Sequence, residues 1–481
     1  MEVQATTAQA LASGADTIAI GVFDGEAVGS EEPGELLARL LERGEAGAET
    51  GRIAVAHVQD IRVLLLGLGP RERFDAERAR AAAALAHGRA RELRAHRLAW
   101  QLPDGVGSDV AGALVEGTLL AAYRFTAFKR PPKRPAPELE ALLVCGADDA
   151  AVARAALVAT AQNRARDLGN RPANELTPAA LADYAAALDG RDGITVRVMD
   201  GEAIRTAGMG AFAAIAQGSA ESPRLIELRY DGSGESTAPL LGLVGKAVTF
   251  DSGGLSLKPA ATMHEMKFDM CGGAAVIEAV AALAALRAPT RVLGIVGATE
   301  NLPGSTAVKP GDIVTALDGT TIEVNNTDAE GRLVLGDCLT HALRLGAQRI
   351  VDLATLTGAI TTALGSTYAG LMANDDAWAA AVTEAGERSG ELLWRMPLHE
   401  RYAEMVKGRY AELTNRTERR EAAAITAAEF LHHFVGEVPW AHLDIAAVAD
   451  NLTRPYLDKG ASGFGVRLLV ELALSFEEVA G

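Results

Sequence analysis

The residues with the clearest capacity for chemistry in this 481-residue chain lie in the segment Asn326-Thr-Asp-Ala-Glu-Gly-Arg-Leu333. Asp328, Glu330 and Arg332 stand at every second position, so an extended backbone would direct all three side chains to one face. Two carboxylates held that close repel each other, and one takes up a proton unless a cation lies between them. Arg332 is either that cation or a forked donor that holds an anion beside a metal.

A second block of polar residues lies upstream, between Lys246 and Lys258, and it includes Asp251. Asp269 follows shortly after it. Lys246 ends an apolar run that predicts a buried strand, and in open α/β sheets binding sites gather at the carboxyl ends of strands. The two glycines after Asp251-Ser allow positive φ and a close approach of the backbone to a ligand. Four carboxylates and two lysines in apolar, glycine-broken sequence therefore predict a metal-centred active site.

Each of these residues taken alone has a simpler interpretation. The segment from Asp251 to Gly254 is typical of a plain turn, and Lys258 before a proline is typical of a solvated loop. Asp269 has the type and place of an N-cap for a helix that begins near Met270. Asp337 is interpreted as structural, and so is Asp444. Only the combination of residues favours a catalytic site.

The elements that must position these residues alternate between strands and helices, which predicts an α/β fold. Strands are expected at residues 17–23, 52–58 and 61–67, and helices at 75–96 and 110–123, the second with Asp109 as its N-cap. A long helix then ends before Gly169, and further strands are expected around Arg224, Leu240, Arg291, Arg349 and Trp440. The prediction is a smaller N-terminal α/β domain (1–148), a connecting helix (149–168) and a larger C-terminal α/β domain (169–481) with a mixed, mostly parallel sheet.

Composition and charge limit the classes of partner. The chain is 49% hydrophobic and 23% charged, which is typical of a globular protein rather than a disordered one. A net charge of −17 opposes binding to nucleic acid or to anionic membrane, and the basic segment 129–134 is the one candidate patch for DNA. Three cysteines fit neither a disulfide framework nor a zinc ribbon, and the N-terminus lacks the features of a signal peptide. We expect a cytoplasmic protein that binds no membrane.

One uncharged stretch, residues 353–374, is long enough to cross a bilayer. It is rich in Thr and Gly, which makes it a poor membrane span. We expect a buried strand, a glycine loop and a small-residue helix there instead.

These motifs together resemble the leucyl aminopeptidases, the cytosol aminopeptidase family. The octapeptide at 326–333 matches the family signature without change, and the Lys246–Lys258 block and Met266-x-x-Asp-Met270 have the family spacing. Weaker resemblance runs through Asn301-Leu-Pro, Asp352–Gly358, Ile425-Thr-Ala-Ala and Trp440–Ala446. The resemblance covers essentially all of the second domain, whereas the first domain matches only in general pattern. Glu421-Ala-Ala-Ala424 replaces a glycine-containing turn of many relatives.

The resemblance implies a role for each matching residue. Asp251 and Glu330 would bridge two divalent metals, Asp328 would complete the first, more exchangeable site, and Lys246 with Asp269 would complete the tighter second site. Lys258 would polarise the scissile carbonyl, and Arg332 would hold a bicarbonate ion that acts as general base. The pocket for the N-terminal side chain would be lined by Met266, Thr355, Ala446 and Ala449.

The resemblance also implies cofactors and assembly. The metals would be manganese or zinc, with cobalt and magnesium as alternatives, since the oxygen-rich donor set does not decide between them. The substrates would be peptides with an N-terminal residue such as Leu, and the assembly a homohexamer built as a dimer of trimers. Two alternatives remain open from the sequence: a Cys-Gly or other dipeptidase, and a regulatory role in DNA binding.

Overall fold

The computed structural model describes residues 1–26, 34–131, 138–235, 237–419 and 421–476. It divides into two compact units, and the division falls inside one long helix. The N-terminal unit comprises Met1–Thr160 with Thr453–Asp458, and the C-terminal unit comprises Ala161–Leu452 with Lys459–Gly481. Residues 132–134 of the basic segment lie outside the described residues.

The N-terminal unit is built on a six-stranded sheet in the order β1-β6-β5-β2-β4-β3. All neighbouring strands are parallel except the β3–β4 hairpin. The expected strands and helices are therefore present. The strands are β1 (Glu2–Thr6), β2 (Thr17–Phe23), β3 (Ile53–Val58), β4 (Ile61–Gly69), β5 (Arg97–Gln101) and β6 (Ala141–Cys145). The helices are α1 (Gly34–Glu42), α2 (Ala76–Glu92), α3 (Ser108–Ala122) and α4 (Asp149–Asn170), the last of which spans the division.

Helix starts in this unit follow the capping rules only in part. The side chain of Asp75 accepts a hydrogen bond from the Arg78 amide at 2.8 Å and caps α2. The predicted N-cap of α3 is wrong, because Gly107 is the cap residue and Asp109 lies in the first turn. An acidic residue in the first turn still stabilises the helix through the positive end of its dipole.

The C-terminal unit contains an eight-stranded mixed sheet in the order β15-β14-β17-β13-β9-β10-β8-β7. The four central strands β17, β13, β9 and β10 are mutually parallel, and β8, β7 and β14 add antiparallel pairs. The predicted mixed, mostly parallel sheet is confirmed. The strands of this unit are β7 (Thr195–Met199), β8 (Arg224–Asp231), β9 (Leu240–Asp251), β10 (Arg291–Asn301), β11 (Ile313–Thr315), β12 (Thr321–Glu323), β13 (Arg349–Ala354), β14 (Ala369–Ala373), β15 (Leu393–Arg395), β16 (Leu413–Thr414) and β17 (Trp440–Asp444).

Helices flank this sheet, and β11, β12 and β16 form a separate small sheet. The helices are α5 (Pro178–Ala186), α6 (Gly201–Thr206), α7 (Gly210–Ala216), α8 (Cys271–Ala285), α9 (Gly331–Arg344), α10 (Gly358–Leu364), α11 (Asp376–Ser389), α12 (Glu400–Ala403), α13 (Ala423–His432) and α14 (Val466–Leu474). The uncharged stretch 353–374 is the end of β13, a loop, α10 and β14, as expected.

Helix α8 packs closely on the central strands because Gly272 and Gly273 lie in its first turn. A Cβ on Gly272 would lie 2.2 Å from the Leu353 carbonyl oxygen, and one on Gly245 of β9 would lie 2.6 Å from the Gly273 Cα. The stretch Met263–Ala285 is long and apolar enough to cross a membrane, but 94% of its apolar window is buried inside the protein. That burial is typical of the core helix of a globular protein. The close packing of α8 also brings the residues that precede it beside strand β9.

Candidate active site

The site is built at the carboxyl ends of the central parallel strands, where the sequence predicts it. Strand β9 carries Lys246 in its second half and ends at Asp251, and both are buried. The next loop returns at once, since Gly253 and Gly254 have φ values of +85° and +63°, as the sequence predicts. A Cβ on Gly253 would lie 2.5 Å from the Ser256 carbonyl oxygen, so the tight loop that brings this segment beside Asp328 requires glycine.

The signature segment 326–333 is not extended, and the expectation that period-2 spacing aligns its side chains is wrong. Residues 326–330 form a turn, and Gly331 begins α9, so Arg332 lies in the first helical turn. The turn is held by the Asn326 side chain, whose Oδ1 accepts a hydrogen bond from the Asp328 amide at 2.7 Å. A side-chain hydrogen bond of this kind competes with extended structure.

Asn415, buried at the end of β16, holds the same turn from outside. Its Nδ2 donates to the carbonyls of Asn326 at 2.6 Å and Ala329 at 3.2 Å. Its Oδ1 accepts from the amides of Asn325 at 2.9 Å and Asn326 at 3.3 Å. One side chain therefore fixes the backbone on both sides of Asp328.

The ammonium group of Lys246 joins two carboxylates. Its Nζ lies 2.8 Å from Asp269 Oδ1 and 2.7 Å from Glu330 Oε1, and it donates to the Thr355 carbonyl at 2.9 Å. Burial alone lowers the pKa of Lys246, but the neighbouring carboxylates outweigh burial and raise that pKa above its ordinary value. In this setting the amine is charged.

The ammonium group of Lys258 joins the other pair. Its Nζ lies 2.7 Å from Asp251 Oδ2 and 2.6 Å from Asp328 Oδ1, while 21% of its side chain is exposed. Burial opposes the charge, but the attraction of Asp251 and the other carboxylates raises the pKa of Lys258. The cations between the carboxylates are therefore the two lysines, and Arg332 is not one of them.

Asp251, Asp328 and Glu330 converge on one point, each with a carboxylate oxygen within 4.8 Å of the others. Burial and the nearby Glu330 raise the pKa of Asp251 to about 6, against the pull of Lys258. Burial likewise raises the pKa of Asp269, whereas for Glu330 the two lysines outweigh burial and lower the pKa. Oxygen donors converging in this way form the kind of site that binds divalent cations.

Arg332 makes no ion pair with the described carboxylates and lines a cavity. The residue is 6% exposed, and its guanidinium has no hydrogen bond to any residue that the structure describes. Burial lowers the pKa of Arg332 to about 10, Glu330 opposes this, and Arg416 adds to it. We call this space of about 310 Å³ the arginine cavity; it is lined by Arg332, Arg416, Thr417, Arg419, Ala423 and Thr426.

The four residues expected to line a substrate pocket differ in exposure. Met266, Thr355 and Ala446 are each partly exposed, whereas Ala449 is only 1% exposed. Thr355 also supports the carboxylate cluster directly, because its hydroxyl donates to Asp269 Oδ1 at 2.7 Å. The alternative that Asp269 is a helix N-cap is wrong, since Met270 is the cap residue of α8.

The residues interpreted as structural do make structural contacts. Asp337 accepts hydrogen bonds from the amides of Phe212 and Leu317, and Asp444 accepts one from the Thr357 hydroxyl at 2.6 Å. The supporting role of Asn415 has no counterpart among the sequence motifs, because it depends on a partner 89 residues away.

Asn301 is a second support that sequence reasoning did not assign. Its Nδ2 donates to Asp251 Oδ1 at 2.8 Å and to the Thr327 carbonyl at 2.9 Å, which links the strand end to the signature turn. The Asn301-Leu-Pro segment, which resembles the family, carries the signal for this residue in the sequence.

Family comparison agrees with this geometry over both units. Residues 163–470 match the catalytic domain of the cytosol aminopeptidase family, and residues 19–132 match the N-terminal domain of the same family. The chain belongs to the cytosol aminopeptidase family. It is a metallo-aminopeptidase and a hydrolase.

Relatives of this aminopeptidase match over nearly their whole length. A probable cytosol aminopeptidase of Roseiflexus castenholzii is 44% identical, with 98% of each chain covered. One of Solibacter usitatus is 43% identical, covering 96% of this chain and 97% of the relative.

Solved structures show the same fold. The bottromycin maturation enzyme BotP in complex with manganese has a TM-score of 0.87 at 38% identity, covering 96% of this aminopeptidase and 99% of BotP. A mutant of tomato leucine aminopeptidase has a TM-score of 0.88 at 34% identity, with coverage of 98% and 96%. The family is metal-dependent, and the carboxylate cluster fits divalent metals as the cofactors.

Proposed function

We propose that the protein is a dinuclear aminopeptidase that removes N-terminal residues, Leu among those preferred, from peptides. The observation that carries the proposal is the convergence of Asp251, Asp328 and Glu330, with carboxylate oxygens within 4.8 Å of one another. Lys246 and Asp269 adjoin the same cluster.

The charge of the cluster fits two bound cations. Four carboxylates face two ammonium groups, which leaves an excess of two negative charges in a largely buried site. Burial is the main cause of the raised pKa values of Asp251 and Asp269, and repulsion from Glu330 adds to it. In addition, the buried Asp269 Oδ2 has no hydrogen-bond partner among the described residues, so it is available as a ligand atom.

The ligands divide between two sites. Asp251 and Glu330 would bridge the two metals, Asp328 would complete the first, more exchangeable site, and Lys246 with Asp269 would complete the second. Two metals held by these residues would supply an acidified water and an anchor for the free α-amine of the substrate. For Lys246 to act as a ligand its amine must lose a proton, and the field of two adjacent dications favours that loss.

The remaining cations act on the substrate and the base. Lys258 has its charge secured by Asp251 and Asp328 and is partly exposed, so it can polarise the scissile carbonyl and stabilise the developing oxyanion. The guanidinium of Arg332 lacks a hydrogen-bond partner among the described residues, which suits a bound anion. We assign bicarbonate to Arg332; held there, it would supply the general base.

Substrate selection, assembly and location complete the proposal. Met266, Thr355 and Ala446, with Ala449 behind them, would contact the N-terminal side chain. We propose a cytoplasmic homohexamer, a dimer of trimers, acting on peptides with manganese or zinc, or with cobalt or magnesium in their place. Sedimentation of the protein at working concentration should give a hexamer, and a stable monomer of about 50 kDa would contradict the assembly.

The direct test is hydrolysis of leucyl-p-nitroanilide by chelator-stripped protein, with and without added manganese or zinc. We expect activity only after metal is restored. The variant Asp328→Ala should lose hydrolysis while keeping the fold and assembly of the wild type. Retained turnover in Asp328→Ala would remove Asp328 from the ligand set, and metal-independent turnover by the wild type would overturn the proposed mechanism.

A further inference from the structure

The arginine cavity lies at the start of helix α13, which has ten residues. The lining includes Ala423, the first residue of this helix, and Thr426 in its first turn. No side chain caps the N-terminus of α13, and the first amides of a helix have no acceptor within the helix. Because these amides and the positive end of the helix dipole attract negative charge, the cavity borders a backbone site that favours an anion.

A buried arginine is a second, independent indication of an anion. Arg332 is 6% exposed and lines the same cavity, and its guanidinium forms no hydrogen bond with any described residue. The nearby carboxylate of Glu330 is engaged by Lys246, and that of Asp444 accepts a hydrogen bond from the Thr357 hydroxyl. A buried donor without an acceptor destabilises the folded protein, and an anion in the cavity would supply the acceptor.

Two further arginines add positive charge to the lining. Arg416 and Arg419 both line the cavity, and the charge of Arg416 lowers the pKa of Arg332. Arg419 lies 3.4 Å from Glu421 Oε1 and is partly balanced, whereas Arg416 forms no ion pair with a described residue. None of the residues found to line the cavity is an Asp or Glu. In a chain with a net charge of −17, this cavity therefore concentrates positive charge.

Charge and size together indicate the class of anion. Arg332 and Arg416 carry two positive charges that no described residue pairs, so a dianion balances them better than a single bicarbonate does. A water molecule takes up about 30 Å³ of liquid volume, so the cavity of about 310 Å³ has room for a group larger than bicarbonate. A phosphate group carries about −1.5 to −2 charges at pH 7 and offers oxygens that suit the paired donors of arginine.

We propose that the arginine cavity binds a doubly charged phosphate group, either free phosphate or a phosphate monoester, between Arg332, Arg416 and the N-terminus of α13. The ligand inhibits hydrolysis reversibly, because it occupies the guanidinium to which the proposed function assigns bicarbonate. The inhibition rests on the proposed function, whereas the binding site does not depend on it.

Calorimetric titration of the metal-loaded enzyme at pH 8, after removal of unbound metal, tests the site. The probes are inorganic phosphate, methyl phosphate and dimethyl phosphate, the last of which carries a single charge. We expect the better of the two dianions to bind at least about tenfold more tightly than dimethyl phosphate. Tighter binding of inorganic phosphate identifies the free ion as the ligand, and binding of methyl phosphate at least as tight identifies a monoester. Added bicarbonate should weaken the binding of either dianion, since both anions need Arg332.

The variant Arg416→Gln should bind the dianion about tenfold more weakly than the wild type, and Arg416→Lys should retain part of the affinity. Phosphate bound at the metals instead would be insensitive to Arg416. Arg409→Gln is the matched control, because Arg409 is an exposed arginine that lines the neighbouring cavity of about 240 Å³ and packs on Tyr410. It removes the same charge and should bind the dianion as the wild type does.

Hydrolysis of leucyl-p-nitroanilide is measured alongside with the same enzymes. Without phosphate, Arg416→Gln should match the wild type, and about tenfold more of the dianion should be needed to inhibit it. No saturable binding of either dianion, equal binding of dimethyl phosphate, or binding unchanged in Arg416→Gln would overturn the site. Binding as expected without inhibition would overturn the inhibition alone. Binding as expected in a metal-loaded enzyme that hydrolyses nothing would overturn the proposed function and leave the site in place.

Discussion

The two units of this aminopeptidase share an α/β design but bury different kinds of side chain. In the described part of the N-terminal unit, Arg80 is the only buried Asp, Glu, Lys or Arg, and the core is made of Ala, Leu, Val and aromatic residues. In the C-terminal unit, the ends of the central strands and the segments beside them bury both lysine and carboxylates. Both units therefore have strand ends where an active site can form. Only in the C-terminal unit do buried charged side chains at those ends indicate one.

The buried charges are also balanced differently. Arg80 lies 2.6 Å from Glu116 and 3.3 Å from Glu77, so its one charge faces two carboxylates that water partly reaches. The carboxylate cluster has more carboxylates than lysines, and of these residues only Lys258 and Asp328 are partly exposed. An excess of buried negative charge destabilises the folded protein unless a cation neutralises it. The excess therefore indicates a bound cation.

The strongest test of this comparison is Glu330→Gln. The substitution keeps the side-chain shape but removes one proposed bridging carboxylate and one partner of Lys246. We expect kcat/KM for leucyl-p-nitroanilide to fall by at least about 100-fold, beyond the usual effect of changing a residue that only supports a ligand. Metal content of the purified variant, measured alongside, should fall as well. If Glu330→Gln kept full activity and full metal content, an excess of buried carboxylates would not identify the metal site.

Asn415→Ala tests whether the clamp on the signature turn matters for catalysis. The change removes four hydrogen bonds while leaving every proposed metal ligand in place. We expect a loss of about 10- to 100-fold in metal affinity or kcat/KM, the range typical of residues that orient ligands. Titration of the chelator-stripped variant with manganese measures the first quantity. Wild-type metal affinity and activity in a stably folded Asn415→Ala variant would assign the clamp to stability alone.

Asn415 also illustrates what could not be predicted from sequence. The carboxylates and lysines were found because they cluster within short motifs, and the alternation of strands and helices predicted the sheet that carries them. The shape of the signature turn was missed because side-chain hydrogen bonds from Asn326 and Asn415 override the local period of two. Such long-range contacts leave no periodic pattern in the chain.

In the N-terminal unit, a different buried group should govern acid sensitivity. His87 of α2 is 5% exposed, and its Nδ1 has no hydrogen-bond partner among the described residues. Burial, together with Arg124 and Arg91, lowers the pKa of His87 to about 4. Between pH 6.5 and 4 the unfolded chain binds more protons at this site than the folded chain, so stability falls as the pH falls through that window.

We expect this histidine to remove up to about 3 kcal/mol from the stability of the N-terminal unit as the pH falls from 7 to 4. In His87→Gln, which stays neutral throughout, that contribution should be absent. Hydrogen–deuterium exchange of peptides from α2 at pH 7, 6, 5 and 4, corrected for intrinsic exchange rates, measures the local free energy of opening. An identical pH dependence in the wild type and the variant would show that the buried imidazole does not resist protonation.

The smallest expected effect belongs to Glu116→Gln, which tests the other side of the comparison. The substitution removes a charge beside the buried Arg80, but Glu77 remains within 3.3 Å of that arginine and a glutamine oxygen still accepts a hydrogen bond. We therefore expect a loss of about 1–2 kcal/mol in the stability of the N-terminal unit, measured by exchange of α2 and α3 peptides. The kcat and KM for leucyl-p-nitroanilide should match those of the wild type, because Glu116 pairs with Arg80 and is not one of the proposed ligands or substrate-binding residues. A fall in kcat at unchanged metal content would mean that the N-terminal unit takes part in catalysis, and the contrast between the two units would then fail.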